Sequence, residues 1–425
     1  MNVMYIGLGR IGLPQALVSA DAGHMVYGVD NSIDNITLLS EAKTPFYEPL
    51  MNELLQKHIN NNFTIFNEIK MAPKKVDLLF FTLGTGIPVY PEKLDLSEIE
   101  SLLDEVIKSI SAKVYIFRTT LPVGTVDALS ERYQNTNFAF VPERLVEGNA
   151  IAEERQLPKI IGTYNDYSFN LISKFFISIG GDIIRVKNPR TAEFCKLTDN
   201  SYRNLIFSFS NDIAIAAETN KIDVYEVISS VNNGYERNNI MTPGPVSGYC
   251  LGKDPYIFEY SFPDNISKNH SVIYKARKNN DYLYKYFSKK AAELTPQIIS
   301  ILGVSFKADI DDFRMSHTHN IIEEIESELP GCIIKIYDPF ISSNKYTNQY
   351  NENKSVLTIN DINDTNLFET DLLMILTPHK EIKNIDRKLL FDLLEIKEPA
   401  IFDAWNVWSD LTEKYEKYSS FGRGS

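Results

Sequence analysis

The sequence predicts an α/β protein built from two Rossmann-like, doubly wound parallel-sheet domains joined by a long central helix in a helical domain. Three observations lead there. Short apolar runs, ended by glycine or an acid, alternate with helical stretches toward both ends of the chain. A stretch of 30 residues after Arg190 lacks Gly and Pro. The chain has 425 residues, which at about 150 per domain leaves room for two or three domains. The expected boundaries are 1–185, 186–292 and 293–415.

The elements follow in order. Val3–Ile6 is a strand ended by glycines, and Leu13–Ala22 a helix. Met25–Val29 is the next strand, ending at Asp30. Val76–Thr82, Val114–Thr119 and Phe138–Val141 are apolar almost throughout, as strands of a sheet covered on both faces are. Residues 190–220 read as one helix, longer than a globular helix usually runs, and so as a connector. Pro243, Gly244, Pro245, Gly248 and Gly252 mark a loop, which would carry Cys250. A second α/β unit begins near Gln297, with strands Ile298–Val304, Ile333–Tyr337, Asp371–Leu376 and Ala400–Phe402 and a helix Ser316–Leu329. Trp405 and Trp408 read as packing residues, and His317 and His319 as ordinary helix-start residues. Gly422-Arg423-Gly424-Ser425 reads as a tag-like tail outside the fold.

Composition narrows the function. The chain is 44% hydrophobic and 23% charged with a net charge of −13. That balance disfavours nucleic acid and anionic membranes as partners. No apolar run reaches the roughly 18 residues that span a bilayer. Cys195, Cys250 and Cys332 are too few and too scattered for a disulfide scaffold or a zinc site. A cytoplasmic, reduced protein without a metal is expected.

Gly7-Leu8-Gly9-Arg10-Ile11-Gly12 is a GxGxxG directly after a strand and before a helix. The first glycine allows the turn, the second lets backbone approach a pyrophosphate, and the third lets helix and strand close up. The helix N-terminus favours the diphosphate. Asp30 would accept ribose hydroxyls and repel a 2′-phosphate, so NAD is expected rather than NADP. Thr82 and the Thr119-Thr120-Leu121-Pro122-Val123-Gly124 segment lie at carboxyl ends of strands, where open sheets bind ligands.

Cys250 sits in Gly248-Tyr249-Cys250-Leu251-Gly252-Lys253-Asp254. A thiol beside a lysine has a raised thiolate fraction and can act as a nucleophile. Lys196 and Asn200 are four apart on the central helix and so face the same way, fit to hold an oxyanion or orient a water. Glu143 and Glu147 are likewise four apart, just after a strand, where a general base belongs.

Taken together, GLGRIGLP, PERLVEGNA, TAEFCKLTDNSYRN, GYCLGKDPY, FKADIDDFRMS and YDP resemble the UDP-glucose/GDP-mannose dehydrogenase family, in order, over residues 1–410. PER with TAEFCKLTDNSYRN is most similar to its UDP-N-acetylmannosamine branch. The resemblance implies an NAD-binding domain, a central helical domain, a UDP-binding domain and a homodimer through the helical domain. It implies oxidation of a sugar C6 alcohol to a carboxylate with two NAD+, in the making of surface polysaccharide. Cys250 would be the nucleophile, Lys196, Asn200 and Asp254 would serve oxyanion and water, Glu147 would be an acid/base group, and Thr120 would hold water. Gly7, Gly9, Arg10, Ile11, Gly12, Asp30, Thr82 and Thr120 would meet the cofactor. Glu143, Arg144, Lys196, Asn200, Arg237, Tyr249, Lys307 and Arg314 would meet the UDP-sugar, with Arg237 reaching the partner subunit's substrate. Two departures stand out: Ser247, where a glycine is usual, and Phe81-Thr82-Leu83-Gly84-Thr85-Gly86. The competing readings are UDP-glucose as substrate, a one-step hydroxyacid dehydrogenase, and a non-catalytic sensor of NAD and nucleotide-sugar.

Overall fold

The computed structural model describes residues 1–86, 94–263, 270–341 and 356–424. The chain forms two compact units, one of residues 1–199 with 256–265 and the other of residues 200–255 with 266–425. Residues of the expected central segment 186–292 therefore fall in both.

In the first unit an eight-stranded sheet comprises β1 (Asn2–Ile6), β2 (Met25–Val29), β3 (Phe63–Phe66), β4 (Lys75–Phe81), β5 (Ser111–Phe117), β6 (Phe138–Phe140), β7 (Lys159–Thr163) and β8 (Ile183–Val186). The order is β3-β2-β1-β4-β5-β6-β7-β8, parallel except between β6 and β7. Alternate residues point to opposite faces. Val3, Tyr5, Leu78, Phe80 and Ile116 enter one core, while Met4, Ile6, Leu79, Phe81 and Phe117 enter the other. Both faces are apolar, so the strands read as unbroken apolar runs. Each fully buried side chain of this size contributes about 1.5–3 kcal/mol.

The second unit holds a six-stranded parallel sheet of β9 (Ile298–Leu302), β10 (Ile333–Tyr337), β11 (Val356–Ile359), β12 (Leu372–Ile375), β13 (Ala400–Asp403) and β14 (Tyr418–Ser420). Its order, β11-β10-β9-β12-β13-β14, repeats that of the first six strands. The repeat extends to the crevice at the strand ends. Gly7 and Gly303 follow β1 and β9 with φ of +96° and +89°. Asp30 and Asp338 follow β2 and β10, and each accepts N–H groups from the turn after the first strand. The two sheets thus use one device for shaping the turn after their first strand.

The connector is a single helix, Pro189–Thr219. The string around Cys250 is not a loop, as its glycines led us to expect. Tyr249–Glu259 is a helix with Pro255 inside it. Gly248, at φ +90°, ends the irregular segment, and Gly252 lies in the helix, where a Cβ would already be 3.0 Å from Met315 Cε. The tail reading also fails. Gly422 donates to Glu218 and accepts from Val224, and a Cβ on Gly422 would lie 2.4 Å from Val224 Cγ1. Arg423 pairs with Asp223 at 3.0 Å. Residues 422–424 are a packed part of the second unit, and Ser425 lies outside the described residues. Trp408 is fully buried, its indole N–H donating to the Ile382 carbonyl.

Candidate active site

The nucleotide turn lies wholly in the first unit. A Cβ on Gly12 would sit 1.9 Å from the Gly7 carbonyl oxygen and 2.5 Å from Thr82 Oγ1, so only glycine lets the helix Gly12–Asp21 close on β1. Nothing lies within 4 Å of a Cβ built on Gly9, which leaves that backbone open to a phosphate. Asp30 accepts the Leu8 N–H at 2.7 Å on one oxygen and the Ser32 N–H at 2.8 Å on the other. Each oxygen retains accepting capacity for a ribose hydroxyl. Asp30 lines a cleft of about 370 Å³ with Gly7, Asn31, Asn67, Lys70 and Leu83. An adenosine and its diphosphate fit this set of donors and acceptors. The Thr82 hydroxyl donates to the Gly7 carbonyl at 2.7 Å, so it shapes the turn from below. Ile11 directly precedes the helix and makes no side-chain bond to its first turn.

The other candidate acids and bases of this unit are paired. Arg10 reaches Glu147 at 3.2 Å and lies 4.9 Å over the Phe46 ring. Glu143 is buried and accepts the Leu145 N–H. Lys196, also buried, lies 3.3 Å from the Glu143 carboxylate and donates to its carbonyl. Arg144 bonds Asp199 at 2.8 Å. Thr120 is buried after β5, and its carbonyl accepts the Thr85 hydroxyl at 2.6 Å. Glu193 of the long helix accepts the Gly124 and Val126 N–H groups at 2.6 and 2.8 Å, which fastens the Thr120–Gly124 segment.

The thiol and its neighbours lie in the second unit. Cys250 is exposed in the first turn of its helix, where free N–H groups favour an anion. Asp254, one turn on and fully buried, accepts from Asn200 on one oxygen and pairs with Lys253 on the other, both at 2.6 Å. Lys253 is thus the cation on Asp254, whereas Lys196 is held by Glu143. The Tyr249 ring has the Lys253 ammonium 4.9 Å and the Arg314 guanidinium 5.2 Å from its centre. Arg314 is held by Asp312 at 2.7 Å, and the Lys307 carbonyl accepts from Ser305 at 2.9 Å on the same segment. Arg237 joins neither network. It is exposed, 4.4 Å over the Tyr235 ring.

Three groups bearing on this site were not foreseen. Arg277, buried on the helix Val272–Glu293, donates to the carbonyls of Val246 and Leu251, either side of Cys250, and to Asn204 and Asp281. Asn211 holds Gly244 by both its N–H and its carbonyl. Ser247 bonds His317, whose pKa burial pushes down to about 4. Arg277, Asn211 and His317 are hidden as partners because each is tens of residues from the glycine-rich segment that it holds, and Ser247 stands in that segment only as a departure from glycine. Among the described residues no cluster of His, Cys, Asp and Glu is placed to hold a metal, and no helix is long and apolar enough to cross a membrane.

Comparison with known proteins finds three family models matching successive stretches of the chain. Models of the UDP-glucose/GDP-mannose dehydrogenase family match residues 1–179 as its NAD binding domain, 190–282 as its central domain and 300–410 as its UDP binding domain. The cofactor is accordingly NAD. The chain is 27% identical over 425 residues to UDP-N-acetyl-D-mannosamine dehydrogenase of Methanocaldococcus jannaschii, covering 97% of this chain and 94% of that one. It is 29% identical over 406 residues to the protein of that name from Campylobacter jejuni, covering 89% and 96%. The UDP-D-ManNAc dehydrogenase structure from Pyrococcus horikoshii shares the fold, with a TM-score of 0.85, 24% identity and 100% of each chain covered.

Proposed function

The chain belongs to the UDP-glucose/GDP-mannose dehydrogenase family of NAD-dependent oxidoreductases, and we propose that it oxidises the C6 alcohol of a UDP-N-acetylhexosamine, UDP-N-acetylmannosamine first, to a carboxylate. Residues 1–185 would hold NAD, 186–292 the thiol and its helices, and 293–415 the UDP moiety. The observation that carries the reading is the exposed Cys250 followed one turn later by the buried Asn200–Asp254–Lys253 network.

When bound, NAD supplies the hydride acceptor for each of the two oxidations. The protein does the rest. Glu147 takes the C6 hydroxyl proton in the first oxidation. The Cys250 thiolate then adds to the aldehyde carbon, forming a C–S bond and an oxyanion, and loss of a second hydride leaves a thioester. Asp254 takes a proton from water as it attacks the thioester, the C–S bond breaks, and the thiolate is restored with a carboxylate as product. Lysine charge offsets the oxyanion at each stage. The names of the relatives support the sugar.

We further assign a homodimer. Tyr202, Leu205, Ile206, Phe209 and Ala216 form a half-buried to exposed apolar stripe at helical spacing, which a second copy would cover. Sedimentation at micromolar concentration should return twice the 48.5 kDa chain mass, and a single-chain mass refutes the assignment. Cysteines outside any disulfide suit the cytoplasm.

The function is tested by NADH formed per mole of limiting sugar with UDP-ManNAc, UDP-GlcNAc, UDP-GalNAc and UDP-glucose in turn. About two NADH on UDP-ManNAc is the expected result. About one refutes the thioester route, and two on UDP-glucose alone refutes the N-acetylhexosamine.

A further inference from the structure

We propose that Ser247 and His317 are a positioning pair that fixes the Cys250 turn against the segment carrying Lys307 and Arg314. The proposal rests on the oxidation assigned above and names what keeps its nucleophile in register with the sugar-nucleotide segment.

The two residues are 70 apart in sequence and fully or almost fully buried. Ser247 precedes Cys250 by three residues, and His317 follows Arg314 by three. His317 Nε2 lies 2.7 Å from the Leu376 carbonyl oxygen. A carbonyl only accepts, so Nε2 carries the ring proton and Nδ1 is an acceptor. The Ser247 hydroxyl therefore donates to Nδ1 at 2.9 Å, while its oxygen accepts the His317 main-chain N–H at 2.8 Å. This reciprocal pair leaves no freedom in the hydroxyl. A glycine at 247 would make neither bond.

The neighbouring contacts act in the same sense. The Gly248 N–H donates to the Met315 carbonyl at 3.0 Å. A Cβ on Gly248 would lie 2.4 Å from the Phe306 ring. Arg314 stacks on Tyr249, next to the thiol. The two segments are joined at three successive residues, 247, 248 and 249. Of these joints only the Ser247–His317 pair carries two hydrogen bonds running in opposite directions, hydroxyl to ring nitrogen and main-chain N–H to hydroxyl oxygen, so it resists sliding in either direction. Misplacement of a reacting group by about 1 Å costs up to about 100-fold in rate. A thiol must reach the aldehyde carbon within a bond length, so it is the group most exposed to such an error.

The experiment uses the full chain with Ser247→Ala, His317→Gln and the double variant. The glutamine can keep a donor for the Leu376 carbonyl while losing the Nδ1 acceptor. Two readouts are taken: kcat and KM for the sugar nucleotide, and the rate of iodoacetamide alkylation at Cys250, followed by mass spectrometry of its peptide. Each single variant should lower kcat roughly 10- to 100-fold with KM within about twofold. Each should also shift the Cys250 alkylation rate by roughly threefold or more. The double variant should be no worse than the worse single one, as coupled residues are. Wild-type kcat and alkylation in a folded single variant overturn the pair, as does a rise in KM alone. Should the wild type form no NADH from any sugar tested, the assigned oxidation fails, and the alkylation arm still decides the pair.

Discussion

Cys250→Ser should abolish completed oxidation while leaving the protein folded and able to bind NAD. Cys250 is exposed, so its sulfur contributes little to packing, and melting temperature should be unchanged within error. The nucleotide turn from Gly7 to Gly12 belongs to a different compact unit, and NAD affinity should hold. The chemistry should not. A serine hydroxyl is a far weaker nucleophile near neutral pH than a thiolate and a worse leaving group from the acyl stage. A loss of roughly 1000-fold or more in kcat, about 4 kcal/mol of barrier, is expected for the second oxidation. Any residual NADH should approach one per sugar, with aldehyde accumulating in place of acid. A one-step dehydrogenase would keep its activity in this variant, and a protein that only senses NAD would have none to lose. Full two-NADH turnover by Cys250→Ser would remove the thiol from the mechanism.

The features readable from sequence were those whose physical cause is local. Val3–Ile6 and Val76–Thr82 announce buried parallel strands because both faces of the sheet are covered and, Asp77 apart, the positions within them up to Phe81 are apolar. The glycines of the 7–12 turn are readable because strand, turn and helix are contiguous, and the clash a Cβ at Gly12 would make with the Gly7 oxygen lies within five residues. Asp30 ends the next strand at the expected distance. What was not readable depends on distant partners or on tertiary override of a local signal. The thiol helix Tyr249–Glu259 contains Gly252 and Pro255, which locally argue for a loop. It forms because Arg277, Asn200 and Met315, supplied by three other stretches of chain, hold its carbonyl, carboxylate and glycine face. Arg277 itself looks like one more charge on a polar helix, and its burial follows only from the five acceptors that surround it. The tail at Gly422 looked dispensable because glycine carries no side chain to signal packing. In the fold it is the absence of that side chain that lets the chain lie against Val224.

Glu154→Ala should be the most destabilising single change in the first unit. Glu154, on the helix Ala150–Gln156, is fully buried. It accepts from both terminal nitrogens of Arg118, at 2.6 and 3.2 Å, and from Lys159 at 3.1 Å. Both cations are buried too, and Arg118 lies 5.4 Å over the Phe176 ring. Burial alone would raise the Glu154 pKa, but the charges of Arg118 and Lys159 outweigh it and hold the carboxyl below its usual range. Alanine leaves two buried cations facing each other with no anion. Breaking a buried pair in this way costs roughly 3–5 kcal/mol, a large part of the roughly 5–15 kcal/mol that holds a domain together. The pH dependence gives the prediction a signature of its own. A carboxyl with a depressed folded pKa stabilises above its unfolded value of 4.5, and that contribution fades as pH falls through the folded value. Denaturant midpoints of the two proteins should therefore differ most near pH 7 and converge below pH 4.5. A gap under about 1 kcal/mol at pH 7, or one that stays constant into acid, would show that the charge on Glu154 is not what stabilises the fold. The consequence reaches function through the chain itself. Arg118 is followed directly by Thr119 and Thr120, so with Glu154 gone, the segment that closes β5 beside the nucleotide turn loses the charge that anchors its first residue.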